Sequence, residues 1–266
     1  MAGPSAKYGY YLRSIAQLLV HFRNPLLIVR IFTGTASHSL HSIGVRKLDL
    51  RFEVRSAMDV WSVKEAIVDR FYEQYGFAVQ PGWTVVDIGA AIGEFAVYVA
   101  ASDSRNRVLA FEPFPESVTL LRNNVRLNKL TNVQVFPEAV SGKPGTIILD
   151  ASSGEPLKIE SRAASTATDG QIAVTAVSLA DVLGRTESDR IDLLKLDCEG
   201  SEYDILLNAA PGTLQRIDRI VMEYHDTLTE YTHRDLVTFL EGHGYSVDAV
   251  PNAVHPTEIG YLRASQ

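Results

Sequence analysis

The chain has 266 residues, 46% hydrophobic and 21% charged, a balance ordinary for one large domain, or one domain with an appended segment, built on a sizeable core. Its net charge of −7, with no Lys/Arg-rich run, disfavours nucleic acid as the main partner, because phosphate binding leaves a basic footprint. The single cysteine, Cys198, excludes an intramolecular disulfide framework and fits a reducing, cytoplasmic setting.

Tyr10 to Phe32 is rich in apolar residues but is interrupted by Arg13, His21, Arg23, Asn24, Pro25 and Arg30. No uncharged stretch reaches the roughly 18 residues of a membrane span, and no small-residue cleavage site follows a clean apolar run. Residues 1–44 therefore read as a helical arm that packs or dimerises. Basic residues beside the apolar face keep a peripheral membrane contact as the second reading. Residues 45–80 lead into the core: Val45 to Val54 as a strand or hairpin arm, and Trp61 to Gly76 as a helix with Val63, Ala66, Ile67, Phe71 and Tyr75 near one face.

From Pro81-Gly82 strands and helices alternate, which predicts an α/β, Rossmann-like, mostly parallel seven-stranded sheet over 81–266. Strands are expected at Thr84 to Ile88, Arg107 to Phe111, Asn132 to Phe136, Ile191 to Leu196 and Ile217 to Met222. Helices are expected after Gly93 and at Pro115 to Asn128, Ser178 to Leu183, Ser201 to Ala209 and His233 to His243. Residues 142–176, rich in Gly, Ser, Thr and Pro, read as a β-rich insertion. Tyr245 to Val250 and Glu258 to Arg263 form a closing antiparallel pair, where a plain dinucleotide fold would continue with parallel units.

The chemistry gathers at strand ends. The first strand runs into Asp87-Ile88-Gly89-Ala90-Ala91-Ile92-Gly93, and the second ends at Glu112-Pro113. Glycines let a ligand approach the backbone, a helix start offers free N–H groups, and a strand-tip carboxylate can grip a ribose diol. The Gly-x-x-x-Gly spacing departs from the dinucleotide Gly-x-Gly-x-x-Gly and fits S-adenosylmethionine better than NAD. Asp87, Gly89, Ala91, Gly93, Glu112 and Pro113 are thus the cofactor candidates. Glu138, after the third strand, is placed to accept from an adenine amine. Phe111 and Phe114 flank Glu112 as packing residues, either able to stack on the adenine.

Asp197-Cys198-Glu199-Gly200-Ser201-Glu202 ends the fourth strand. Asp197 is read as contacting the cofactor's sulfonium side or amino group, and Glu199 as orienting the acceptor or acting as a base. Glu202 reads as a first-turn helix acid and Cys198 as a packed thiol. Glu223 and His225 close the fifth strand. His225 is the first candidate for the base that takes a hydroxyl proton, with Glu199 and Asp197 next. Asp197, Glu199, Glu223 and His225 also have the chemistry to ligate a divalent ion such as Mg²⁺.

Together these strings resemble the FkbM-type S-adenosylmethionine-dependent methyltransferases: Val86 to Gly93, Ala110-Phe111-Glu112-Pro113, Asn132-Val133 with Ala139-Val140-Ser141, and above all Ile191 to Glu202. The family loop often has Asn where Ala91 stands, so one polar contact is missing here. The resemblance implies a class I methyltransferase fold. It gives cofactor roles to Asp87, Gly89, Gly93 and Glu112, and places Asp197 and Glu199 at the methyl-transfer centre. It implies methyl transfer, mostly to a hydroxyl oxygen, on sugars of polysaccharides or glycolipids or on natural products. Methylation of a peptide amide nitrogen is the alternative. A non-catalytic module binding S-adenosylmethionine or S-adenosylhomocysteine would not need the strand-tip acids, and an oxidoreductase would need the missing glycine pattern. The expected partner is a small-molecule or glycan acceptor, with a homodimer through the arm possible.

Overall fold

A computed structural model describes residues 4–37, 39–150, 170–252 and 254–266. Two helices, Pro4–His21 and Pro25–Phe32, precede an antiparallel hairpin of β1 (His41–Val45) and β2 (Leu50–Val54). The hairpin therefore begins within the segment read as arm. Asn124 ties it to the core: its Oδ1 accepts from Glu53 N at 2.7 Å, and its Nδ2 donates to Ile92 O at 2.9 Å.

The stretch expected as one helix over Trp61 to Gly76 is broken in three. An α-helix, Ala57–Val63, passes into a π-helix, Lys64–Asp69; the left-handed Arg70 (φ 53°) then stops it before the short helix Phe71–Gln74. Lys64 fixes this segment against the arm. Its ammonium is buried, donates to Asp69 at 2.6 Å and Ser14 at 2.8 Å, and lies over the rings of Trp61 and Tyr10. An α-helical pattern of apolar residues says nothing of such a buried ammonium, and this is why the wide turn was not foreseen.

The core sheet contains β3 (Thr84–Ile88), β4 (Arg107–Phe111), β5 (Val133–Phe136), β9 (Leu193–Leu196), β10 (Arg219–His225), β11 (Ser246–Pro251) and β12 (Ile259–Ser265). Their order is β11-β12-β10-β9-β3-β4-β5. The first five in sequence run parallel; β12 is antiparallel to β10 and to β11, as the closing pair predicted. β3 and β9 are buried along their whole length, as strands covered on both faces must be. Glu223 and His225 lie within β10 rather than beyond it.

A second, three-stranded sheet joins β6 (Ala139–Val140), β7 (Gly145–Asp150) and β8 (Gln171–Val177) in the order β6-β8-β7. β7 and β8 are the ends of the predicted insertion, and β6 lies just before it; the insertion's middle, 151–169, lies outside the described residues. β8 leads into the helix Leu179–Gly184, closed at its start by a capping box of Ser178 and Asp181. A short helix, Pro211–Leu214, was not anticipated.

Strand order reverses between β3 and β9. One run of crossovers goes outward through β4 and β5, the other through β10. Chains diverge at such a point and leave a crevice at the carboxyl ends of the strands.

Candidate active site

That crevice is a cleft of about 1240 Å³. Its floor is the ends of β3 and β9, with Gly89, Ala91 and Glu94 on one side and Asp197, Cys198 and Glu199 on the other. Glu112, Pro113, Phe114 and Glu138 line one flank, and Glu65 and Glu223 the other.

The glycines have a packing task besides the cofactor role expected of them. A Cβ on Gly89 would stand 1.8 Å from the Asp197 carbonyl oxygen, and one on Gly93 would stand 2.2 Å from Leu121 Cδ1. The space they leave is filled by protein, so they bring β3 against the turn after β9 and seat the following helix. Both also take positive φ, 76° and 87°. Gly89→Ala is accordingly expected to cost about 1–3 kcal/mol in a urea unfolding titration, since backbone cannot yield as a side chain can. An unchanged midpoint would show that the loop simply shifts.

Glu112 is where it was predicted and is more deeply built in. Oε2 accepts from Ala91 N at 2.8 Å and Oε1 from Phe114 N at 2.9 Å, so its carboxylate clasps the glycine loop to the end of β4. Ala91 turns its N–H inward with a positive φ of 45°. Each carboxylate oxygen keeps a further acceptor position. Burial pushes the Glu112 pKa up to about 7, against the pull of these two N–H groups.

Asp87 is fully buried at the end of β3, with Lys195 Nζ 3.0 Å from its Oδ1. The same ammonium donates to Gly89 O at 2.8 Å and stands 3.9 Å from Asp197 Oδ2. Asp197 Oδ2 also accepts from Tyr72 OH at 2.5 Å. Lys195 and Tyr72 were missed as site residues. Lys195 sits in an apolar strand pattern, and Tyr72 comes from 125 positions away. Glu94 was also missed, although a first-turn acid directly after Gly93 was the available signal. It is buried, its Oε2 has no hydrogen-bond partner, and burial pushes its pKa up to about 8. Both oxygens of Asp87 likewise lack a hydrogen bond of good geometry.

His225 is buried, with Nδ1 3.5 Å from Glu202 Oε1 and Nε2 3.6 Å from Glu199 Oε2. Burial would lower its pKa, but Glu202, Asp197 and Glu199 together hold it up to about 10. That direction favours the protonated imidazole, which has no lone pair to offer, and speaks against His225 as the first base. Glu202 is fully buried and also accepts from Cys198 N at 2.7 Å, a tie that first-turn helix chemistry alone does not explain. Cys198 is a packed thiol as expected, its pKa raised by burial. Glu199 (φ 52°) and Gly200 (φ 93°) make consecutive left-handed steps that turn the chain into the helix Ser201–Leu207. They leave the Glu199 side chain 47% exposed on the cleft.

Asp197, Glu223 and His225 bring ligand atoms within 4.8 Å of one another. Three of the four residues considered for a divalent ion thus converge, with Glu199 beside them. Glu138 faces the cleft, but Arg185 already pairs with its carboxylate. Phe111 stacks on Phe136 with ring centroids 4.7 Å apart, and both Phe111 and Phe114 line the cleft.

A parallel sheet with this strand order and closing antiparallel pair, carrying a strand-tip carboxylate beside a glycine loop, defines a class I methyltransferase. The profile of the methyltransferase FkbM domain matches residues 87–247, and the chain belongs to that family. Among curated relatives it is 29% identical to the 31-O-demethyl-FK506 methyltransferase FkbM of Streptomyces tacrolimicus over 214 residues, 70% of this chain and 81% of that protein. The hexuronic acid methyltransferase AglP of Haloferax volcanii is 25% identical over 66% of this chain and 70% of its own length. Among solved structures, methyltransferase FkbM from Methylobacillus flagellatus KT superposes with a TM-score of 0.51 at 14% identity, over 78% of this chain and 54% of that one.

Proposed function

We propose that the protein moves the methyl group of S-adenosylmethionine to a hydroxyl oxygen of a sugar, glycolipid or natural-product acceptor. The observation that carries this reading is the pair of acids on the cleft, Glu94 with a buried oxygen that has no hydrogen-bond partner and Glu112 with its carboxylate clasped to the glycine loop. S-adenosylmethionine offers what such a pair lacks: an ammonium and a sulfonium for Glu94, and a ribose diol for Glu112. Oxygen as the acceptor atom is supported by the relatives, one named for a 31-O position and one for a hexuronic acid.

When bound, the cofactor supplies an electrophilic methyl group. Glu112 would take the two ribose hydroxyls on its remaining lone pairs. Asp197, fixed by Tyr72 and Lys195, is already engaged and holds its position on the floor. Glu199, half-exposed on the cleft wall, takes the proton as the acceptor oxygen attacks. The imidazolium of His225, 3.6 Å away, orients it. Most of the acceleration comes from holding the reacting atoms in line.

Titration calorimetry tests the cofactor. Micromolar binding of S-adenosylmethionine and S-adenosylhomocysteine, and none of NAD, is expected; the reverse pattern would sink the reading. Glu112→Ala should weaken binding about tenfold to a hundredfold, the worth of a hydrogen bond to a charged group. Affinity should also fall as pH drops below about 7, because a protonated Glu112 accepts less well, and Glu112→Gln should abolish that dependence. Repeating the titration with Mg²⁺ reads whether Asp197, Glu223 and His225 take up a cation.

A further inference from the structure

The first helix has two apolar sides, and the body uses one. Ser14, Leu18 and, just past its end, Phe22 are buried. On the other side Leu12, Ile15, Leu19 and Val20 stand in solvent, Leu12 69% exposed. At 3.6 residues per turn they form one continuous stripe. The second helix repeats the arrangement, with Ile28 buried and Leu26, 81% exposed, and Val29 outward. An arm that only packed would show polar residues there.

Charge is equally one-sided. Before Asp49 the sequence contains Lys7, Arg13, Arg23, Arg30, Arg46 and Lys47 and no Asp or Glu, in a chain of net charge −7. Arg13 borders the stripe, and Arg30 lies one turn from Leu26; both are exposed. Among the described residues no helix is long and apolar enough to cross a membrane.

We infer that these two helices lie flat on an anionic lipid bilayer, the apolar stripe in the headgroup boundary and the arginines among lipid phosphates. An exposed apolar face edged by cations is the composition of an interfacial helix. A second copy of this chain is a poorer occupant, because a two-fold contact sets one cationic patch against another. The arm is also fastened to the cleft. Tyr10, Tyr11 and Phe32 pack on Trp61, whose indole donates at 2.8 Å to Glu65 on the cleft wall. On the methyl-transfer reading, this attachment brings the reacting cleft close to acceptors carried on lipid.

Sedimentation of the full chain with phosphatidylcholine vesicles, with and without phosphatidylglycerol, tests the inference. At least about tenfold greater binding to the anionic vesicles is expected, lost in high salt and in either Leu12→Glu or Leu26→Glu. S-adenosylmethionine binding in the same variants verifies their fold and is read separately, so failure here leaves the cofactor reading untouched. Three results would overturn the proposal: no vesicle binding, binding indifferent to both variants, or a stable dimer that Leu12→Glu dissociates.

Discussion

Lys195→Met is expected to cost about 3–5 kcal/mol of folding stability, the usual result of removing one partner from a buried ion pair. Methionine keeps most of the side chain's bulk, so the loss reports charge rather than a cavity. The ammonium is buried where β3 meets β9, and it faces Asp87, Asp197 and the Gly89 carbonyl at once. Without it, Asp87 relieves its burial by binding a proton, the direction in which burial already drives its pKa. The folded variant then holds more protons than the unfolded chain above the ordinary carboxylate pKa. Its stability falls as pH rises through the window up to the raised folded value. Urea unfolding at about pH 5 and about pH 8 should therefore show the larger deficit at the higher pH. A deficit independent of pH would mean that Asp87 is solvated some other way.

Glu199→Gln is expected to lower kcat by about 10²–10⁴-fold, the range for a positioned base, once an acceptor is in hand. Cofactor affinity should change less than about threefold, because the clasp at Glu112 lies on another flank. The amide keeps the shape of the residue and removes its capacity for a proton. Single-turnover methyl transfer with labelled cofactor makes the measurement. A fall of less than tenfold would return the proton to another group, Asp197 first.

Local signals carried much of this molecule. The apolar run of β3, the glycine turn and the acid closing β4 each lie within a few residues, and each fell where its chemistry placed it. Roles that depend on contact across the fold were hidden. Nothing around Gly89 tells that the Asp197 carbonyl will fill its missing Cβ. Asp87 and Lys195 meet only because β3 and β9 lie side by side, and Tyr72 reaches Asp197 from a helix 125 positions away. His225 was legible as a strand-end imidazole but not as one ringed by carboxylates, which push its pKa up against the effect of burial. On the arm, the apolar count was plain in sequence, whereas the division between a packed side and an open side needed the body beneath it.

The wide turn at Lys64–Asp69 has a consequence for how this chain tolerates length changes. A π-helix is an α-helix carrying an inserted residue. The wide turn absorbs that residue locally, so deleting one residue there would restore α-helical bonding and leave the flanking segments facing nearly as they do now, whereas a deletion in a regular α-helix swings everything downstream by roughly 100° about the axis. Lys64 would still face the arm and Tyr72 would still reach Asp197. Within this short segment the chain thus tolerates the loss of one residue better than a regular helix would.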